Sequence, residues 1–225
     1  WVGGVAVATA GEAAKRTKQW MEDARGWGRY GAVVVAGVSG KLLVVVTVYT
    51  RCDSGDAQQD SNGTAAVLRR RAGSEPSGTK ADDWKPGDAL PKPSAKLAAN
   101  PTKLLFSDLA IVLGHFARKK GVTLVVVGDL NIDPLRGDTG SEEMDRLCDE
   151  LGLGHAAVMA HGREAARRMV TRHPTAPGED GLSEPHGTQK PSHIDHALIS
   201  LEATVASVTT STAVSYTHLT LPTSV

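Results

Sequence analysis

Apolar residues along the chain gather into short blocks separated by Gly-, Pro- and Asp-rich stretches. Most blocks are β-branched and only a few residues long, which favours strands over helices. Val2-Gly3-Gly4-Val5-Ala6-Val7-Ala8-Thr9 predicts a first strand, and Ala32-Val33-Val34-Val35-Ala36 a second. The block at 41–49 is the longest, and Gly37-Val38-Ser39-Gly40 before it is a turn signal. So short a link predicts an antiparallel hairpin, and an unbroken apolar run predicts burial on both faces. Residues 12–28 show no clear period and suggest a weak helix or a long connection.

Two stretches carry helical spacing. Leu104, Leu105, Leu109, Val112, Leu113 and Phe116 recur on one face, after Asn100-Pro101 and before Arg118-Lys119-Lys120-Gly121. Asn suits the N-cap, Pro the first turn, cations the last turn and Gly the stop. Met144, Leu147, Cys148 and Leu151 mark a second helix, with Ser141 as its expected cap. Strands are predicted again at 122–127, 194–200 and 205–214. Between these blocks, residues 53–99 are rich in Gly, Ser, Pro, Asp and Lys, and predict a mobile insertion.

Composition narrows the classes. The 225 residues suffice for one large domain. With 4% aromatic residues, the core must be built from Val, Leu and Ala. Twenty-five basic and 25 acidic side chains cancel, so only a local basic face could attract a polyanion. Cys52 and Cys148 form no CxxC and no disulfide framework. Two distant thiols and no visible secretory signal favour an intracellular setting, nuclear or cytoplasmic. No apolar run reaches the roughly 20 residues of a membrane span.

The chemistry concentrates where apolar runs end. Val125-Val126-Val127 is followed at once by Gly128-Asp129-Leu130-Asn131-Ile132-Asp133-Pro134. In an extended chain Asp129 and Asn131 share a face. A carboxylate can orient water while an amide donates to a developing oxyanion. A tight turn accounts for the same three residues, since Gly, Asp and Asn all favour turns. Asp195 lies inside the apolar strand Ile194-Asp195-His196-Ala197-Leu198-Ile199, and a buried carboxylate needs a cation, a metal or a histidine. His155, His161, His173, His186, His193 and His196 have no metal-ligand spacing and are expected to be solvated.

Gly128-Asp129-Leu130-Asn131 and Ser192-His193-Ile194-Asp195-His196, in this order, resemble the G-D-[FL]-N and S-R-I-D-[YH] motifs of the endonuclease/exonuclease/phosphatase superfamily. His193 stands where that family has Arg, and the run closing at Tyr49 is similar to a family strand that ends in Tyr near the phosphate. The resemblance implies a deoxyribonuclease-like α/β/β/α four-layer sandwich, here incomplete, spanning residues 1–214. It implies Asp129 as the residue that orients or deprotonates water, and Asn131 as a donor to a phosphate oxygen. Tyr49 would act as a hydroxyl at the phosphate or leaving group, and Asp195 as the partner of a catalytic histidine. It implies Mg²⁺ or Mn²⁺ as cofactor, with ligands not assigned.

The family also has an Asn and a Gln-Glu on preceding strands and a closing Ser-Asp-His. The sequence opens at Trp1 without them and runs after Val214 into Ser215-Tyr216-Thr217-His218-Leu219, which resembles a translated adapter. Residues 215–225 are therefore expected to be non-native, and the chain to be a piece that is inactive by itself. The implied substrate of the whole protein is nucleic acid, DNA before RNA, cut by an endonuclease of the kind attached to reverse transcriptases. A phosphatase acting on phosphoinositides or another small phosphoester, and a non-catalytic remnant that only binds, are the alternatives. Arg51, the triplet Arg69-Arg70-Arg71, Arg136, Arg167, Arg168 and Arg172 discriminate: spaced cations suit a strand, a compact pocket a headgroup.

Overall fold

The longest apolar block becomes the strand on which the sheet is assembled. A computed structural model describes residues 5–50, 70–72, 78–136, 140–169, 175–177, 183–185, 194–205, 207–211 and 216–220. Helix α1 (Gly11–Arg16) leads into β1 (Thr17–Glu22), β2 (Tyr30–Ala36) and β3 (Leu42–Tyr49). A short α2 (Ala95–Ala98) precedes the long α3 (Pro101–Ala117), which feeds β4 (Val122–Asp129). Then come α4 (Ser141–Leu151), β5 (Leu153–His155), α5 (Ala156–His161), α6 (Arg163–Ala166), β6 (Thr175–Pro177), β7 (Ser183–Pro185), β8 (Asp195–Ser200), β9 (Ser207–Ser211) and β10 (Tyr216–Thr220).

Six strands form one mixed sheet in the order β1-β2-β3-β4-β8-β5. The pair β2–β3 is the expected antiparallel hairpin, β3–β4 is parallel, and β4–β8 is antiparallel. The α/β sandwich class follows from this mixed sheet with helices against it. The described residues supply this one large sheet and two two-stranded ribbons, β6–β7 and β9–β10.

Helix α3 forms for reasons visible in its sequence. The Asn100 side chain accepts from Lys103 N at 2.9 Å, Pro101 opens the first turn, and Gly121 leaves with φ 72°. Its apolar stripe lies on Val44, Val46, Val48, Val126 and Leu198, with α4 alongside through Met144, Leu147 and Leu151. Each fully buried Leu, Val or Phe side chain there contributes about 1.5–3 kcal/mol. The opposite sheet face carries Val125, Ala197 and Ile199, covered by Leu135, Ala156, Ala157 and Ala166. Alternation along each strand assigns side chains to one face or the other.

Four expectations need correction. Residues 5–10 form no strand; they run beside the sheet, with Val5 N bonded to Gly28 O at 3.3 Å. The edge strand β1, from Thr-Lys-Gln-Trp-Met-Glu, has no counterpart in the apolar pattern, because an edge tolerates polar residues that hide the period. The cap of α4 is Gly140 at φ 95°, a left-handed position, so Ser141 falls inside the first turn. Finally, part of the expected mobile insertion is packed: Trp84 and Leu90 sit in the main core, and Ser94 caps α2 by accepting from Leu97 N. Two isolated large side chains have no period to reveal them. Residues 53–69 and Cys52 lie outside the described residues. Within residues 215–225, expected to be non-native, β10 pairs with β9.

A buried ionic cluster also escapes the sequence pattern. Asp108 on α3 binds Arg25 through Nε at 2.7 Å and Nη2 at 2.8 Å, and Arg29 Nη2 at 2.8 Å. Arg29 also grips Asp23 through Nε at 2.8 Å and Nη2 at 2.9 Å, and lies 4.7 Å over the Trp27 ring. Burial pushes the Asp23 carboxyl up, but the Arg29 hydrogen bond and charge and two backbone N–H groups hold it below the ordinary value. Burial likewise pulls the Arg29 guanidinium down, and Asp23 and Asp108 more than reverse this, raising it.

Breaking one partner leaves a buried charge uncompensated, so Asp108→Asn should lower the unfolding free energy by about 3–5 kcal/mol in urea titration. The Asp23 contribution is complete above the unfolded carboxyl value near 3.8 and is lost as pH falls through the lowered folded value, so the part of the stability that Asp23→Asn removes should fall away only below about pH 4 in acid titration of the parent chain against the variant. Burial, then Asp145 and Asp149, push the Cys148 thiol up to about 12. In a Cys52→Ser variant, the Cys148 thiol should react with a disulfide reagent at about pH 8 only at the rate of unfolding.

Candidate functional site

Register brings three of the four predicted residues into one row. Tyr49 is the Cα partner of Asp129 across the parallel pair, and Asp129 is the Cα partner of Asp195 across the antiparallel pair. Directly paired residues share a face. Tyr49, Asp129 and Asp195 lie an even number of residues from Val45, Val127 and Ala197 on their strands, so all three belong to the face opposite α3. The row lies at the end of β3 and β4 and the start of β8. Tyr49 is exposed, while Asp129 and Asp195 are half-buried.

Asn131 is placed by the loop rather than by the sheet. Its backbone is left-handed at φ 49°, which Asn tolerates better than most residues. Its N–H donates to Asp129 Oδ1 at 3.0 Å, the closed turn of an Asx motif. Its Nδ2 donates to the Thr50 carbonyl, so the side chain reaches back toward β3. The turn expected for Asp129-Leu130-Asn131 and the clustering of its polar groups thus coexist.

Several groups that carry no sequence signal hold this loop. Thr50 N donates to Asp129 O at 2.9 Å, and the Thr50 hydroxyl donates to Leu130 O. Leu130 N donates to Ile194 O at 2.9 Å. Leu130 and Ile132 plug into the α3-side core and anchor the turn from below. His196, expected to be solvated, is 3% exposed, with its Nε2 at 2.7 Å from Ile132 O. His155 meets the His196 ring edge-on at 5.8 Å, and His161 is exposed. The signal for His196 is parity: it faces the same way as buried Leu198. His173, His186 and His193 lie outside the described residues.

Gly128 fixes how closely the strands approach. A Cβ there would stand 1.8 Å from the Val48 carbonyl oxygen, and the residue holds φ 150°. No side chain fits without moving the β3–β4 register. Backbone bonding extends the same bracing outward: Tyr49 N donates to Arg29 O at 2.9 Å, joining the row to the buried ionic cluster.

Electrostatically the row is demanding. Directly paired antiparallel residues have Cα atoms about 5 Å apart. Like charges on directly paired residues are unfavourable. A cation between the carboxylates or a shared proton relieves this. Asp133, two residues beyond Asn131, is buried at 2% exposure. Of the arginines that were to discriminate substrates, Arg51, Arg69 and Arg172 lie outside the described residues, as does the side chain of Arg136. Arg70 and Arg71 are exposed, as are Arg167 and Arg168.

No family model and no curated protein matches the chain. Solved structures do. The human Nocturnin catalytic domain with bound sulfate aligns at 16% identity and TM-score 0.40, over 86% of this chain and 46% of that one. The fold is similar to that of endonuclease/exonuclease/phosphatase family proteins. The one from Bacteroides thetaiotaomicron aligns at 10% identity and TM-score 0.38, over 87% of this chain and 52% of that one. A Staphylococcus aureus beta toxin double mutant with bound magnesium ions aligns at 13% identity and TM-score 0.34, over 84% and 52%. The chain spans about half the length of the solved structures it matches.

Substituting Gly128→Ala should abolish soluble protein or cost more than about 3 kcal/mol in thermal or urea unfolding, because backbone rather than side chain must move. Gly152→Ala, left-handed at φ 63° with nothing within 4 Å of the added atom, should cost only about 1–2 kcal/mol.

Proposed function

We propose that Tyr49, Asp129 and Asp195, with Asn131, form one wall of a site for phosphodiester hydrolysis on nucleic acid, DNA before RNA, in the whole protein to which these residues belong. The observation that carries the proposal is the register. Residues 49, 129 and 195 come from three adjacent strands and meet on one face at one edge. Sheet stability gives no reason to set two carboxylates directly opposite each other, since like charges there are destabilising.

In this proposal Asp129, its orientation fixed by the Asn131 N–H, orients or deprotonates the attacking water. Asn131 donates to a non-bridging phosphate oxygen, where an amide stabilises charge without adding any. The exposed Tyr49 hydroxyl donates at the phosphate or the leaving oxygen. Asp195 supports a positively charged partner on the same face. Among the described residues no group of three or more His, Cys, Asp or Glu side chains gathers at one point. Two carboxylates are nevertheless the number that Mg²⁺ commonly takes from a protein when substrate phosphates and water complete its shell. Held by carboxylates at this site, Mg²⁺ or Mn²⁺ would supply charge neutralisation at the phosphate.

The resemblance assigns a metal-binding Glu and an Asp-His pair to motifs not matched in residues 1–225, so turnover by these residues alone is expected to be low. The test compares the 225-residue chain with a chain extended through its reading frame, each assayed for Mg²⁺-dependent cleavage of an oligonucleotide. The extended chain should cleave, and Asp129→Asn should lower its kcat/KM by about 10²–10⁴ with an unchanged circular dichroism spectrum. Cleavage that survives Asp129→Asn sinks the assignment. Asp129-dependent cleavage by the 225-residue chain sinks only the expectation of low turnover.

A further inference from the structure

A basic strip lies on the same side of the sheet as the carboxylate row. Ala166 of α6 is fully buried in the cluster that holds Val125, Ala197, Ile199 and Leu135, which is the face of Tyr49, Asp129 and Asp195. Around this small anchor, Arg163, Arg167 and Arg168 remain exposed. Arg167 Nε donates to the Leu135 carbonyl at 3.0 Å, tying the strip to the loop that leaves Asn131. Glu164 pairs with Arg167 Nη1 at 3.3 Å and offsets one charge. The strip thus carries more positive than negative charge, with Arg163 and Arg168 on either side of that pair.

A site for one headgroup closes cations around one phosphate. Here they are set out along a surface. From Arg163 to Arg167 is four residues, about 6 Å along a helix axis. A nucleic-acid strand carries one phosphate per roughly 3.4 Å of axis, so Arg163 and Arg167 stand about two phosphates apart along such a strand. Among its described residues the strip offers no exposed large apolar side chain that would insert into a bilayer, Met169 beside it being half-buried.

We propose that Arg163, Arg167 and Arg168 form a phosphate-tracking rim that binds a single polynucleotide strand beside the Asp129–Asp195 row. The proposal rests on the phosphodiester reading only for the position of the reacting phosphate; the binding itself does not require hydrolysis. The rim arginines touch phosphates and not bases, so they add affinity and no sequence preference.

The test is fluorescence anisotropy of labelled single-stranded oligonucleotides with the full 225-residue chain, in chelator, so that cleavage cannot contribute. Arg163→Gln/Arg168→Gln leaves Arg167 on Leu135 and should not disturb folding. It should weaken binding about tenfold at about 50 mM salt and reduce the logarithmic salt slope by about 1.4, at about 0.7 for each phosphate no longer neutralised. Lys119→Gln/Lys120→Gln removes the same charge at the far end of β4 and should leave affinity within about twofold. Equal weakening in both double variants, or none in the first, overturns the rim. So does Arg-dependent binding to phosphatidylserine vesicles without oligonucleotide binding. If cleavage proves independent of Asp129 while the rim effect holds, the hydrolytic reading fails and the rim stands.

Discussion

The contact that the arrangement depends on is the approach of the Gly128 backbone to the Val48 carbonyl, so close that a Cβ would stand 1.8 Å from its oxygen. Gly128 is paired on both sides, to Val48 and to His196. One residue later the same register delivers Tyr49, Asp129 and Asp195 to a common row. A slip of one residue would turn Asp129 toward α3, into a core of Leu and Val where an ionised carboxylate is not tolerated. The absence of a side chain at 128 is therefore what permits the carboxylate at 129. The pattern Gly-Asp is a packing requirement before it is a chemical motif.

The row is then held from two sides by unlike means. On one side, Leu130 and Ile132 are buried beneath the loop, and His196 bonds the Ile132 carbonyl, so the turn is fixed by burial and one polar contact. On the other, the Tyr49 backbone bonds Arg29, whose guanidinium is shared between Asp23 and Asp108. A buried ionic cluster contributes little net stability compared with apolar residues of equal volume. What it does supply is direction: Asp108 on α3 takes Arg25 by two parallel bonds, which sets the β1–β2 connection at one angle to the helix.

How much of this is legible in the sequence follows from where the signals are periodic. The α3 stripe, its Asn100 cap and the β2–β3 hairpin are local patterns, and they appear in the structure where the pattern puts them, although the helix ends at Ala117, before the expected last turn at 118–120 and the Gly121 stop. Likewise Gly128-Asp129-Leu130-Asn131 is legible as a strand end. What sequence does not carry is the pairing of Asp129 with Tyr49 and Asp195, because register between residues 80 and 66 positions apart leaves no local trace. Trp84, Leu90, Thr50 and the partners of Arg29 are hidden for the same reason: each is a single residue whose burial is decided by a distant element. The edge strand β1 is hidden differently, since its polar side chains face solvent whichever structure they adopt.

The location of the row also has a topological cause. Where two parallel strands lie side by side, a connection must leave each of them at the same edge, and the two connections diverge. Among the described strands of the large sheet, β3 and β4 are the parallel neighbours. From Asp129 the chain turns at once through Leu130 toward Leu135, and Thr50 at the end of β3 stays bonded to Asp129 O and Leu130 O. The β3–β4 backbone ladder ends at this edge with the pair Tyr49–Asp129. The antiparallel strand β8 enters at that same edge and adds Asp195 to it. On the α3 side this edge is covered by Leu130 and Ile132, while Tyr49, Asp129 and Asp195 lie on the other face, the one on which Ala166 of α6 is buried.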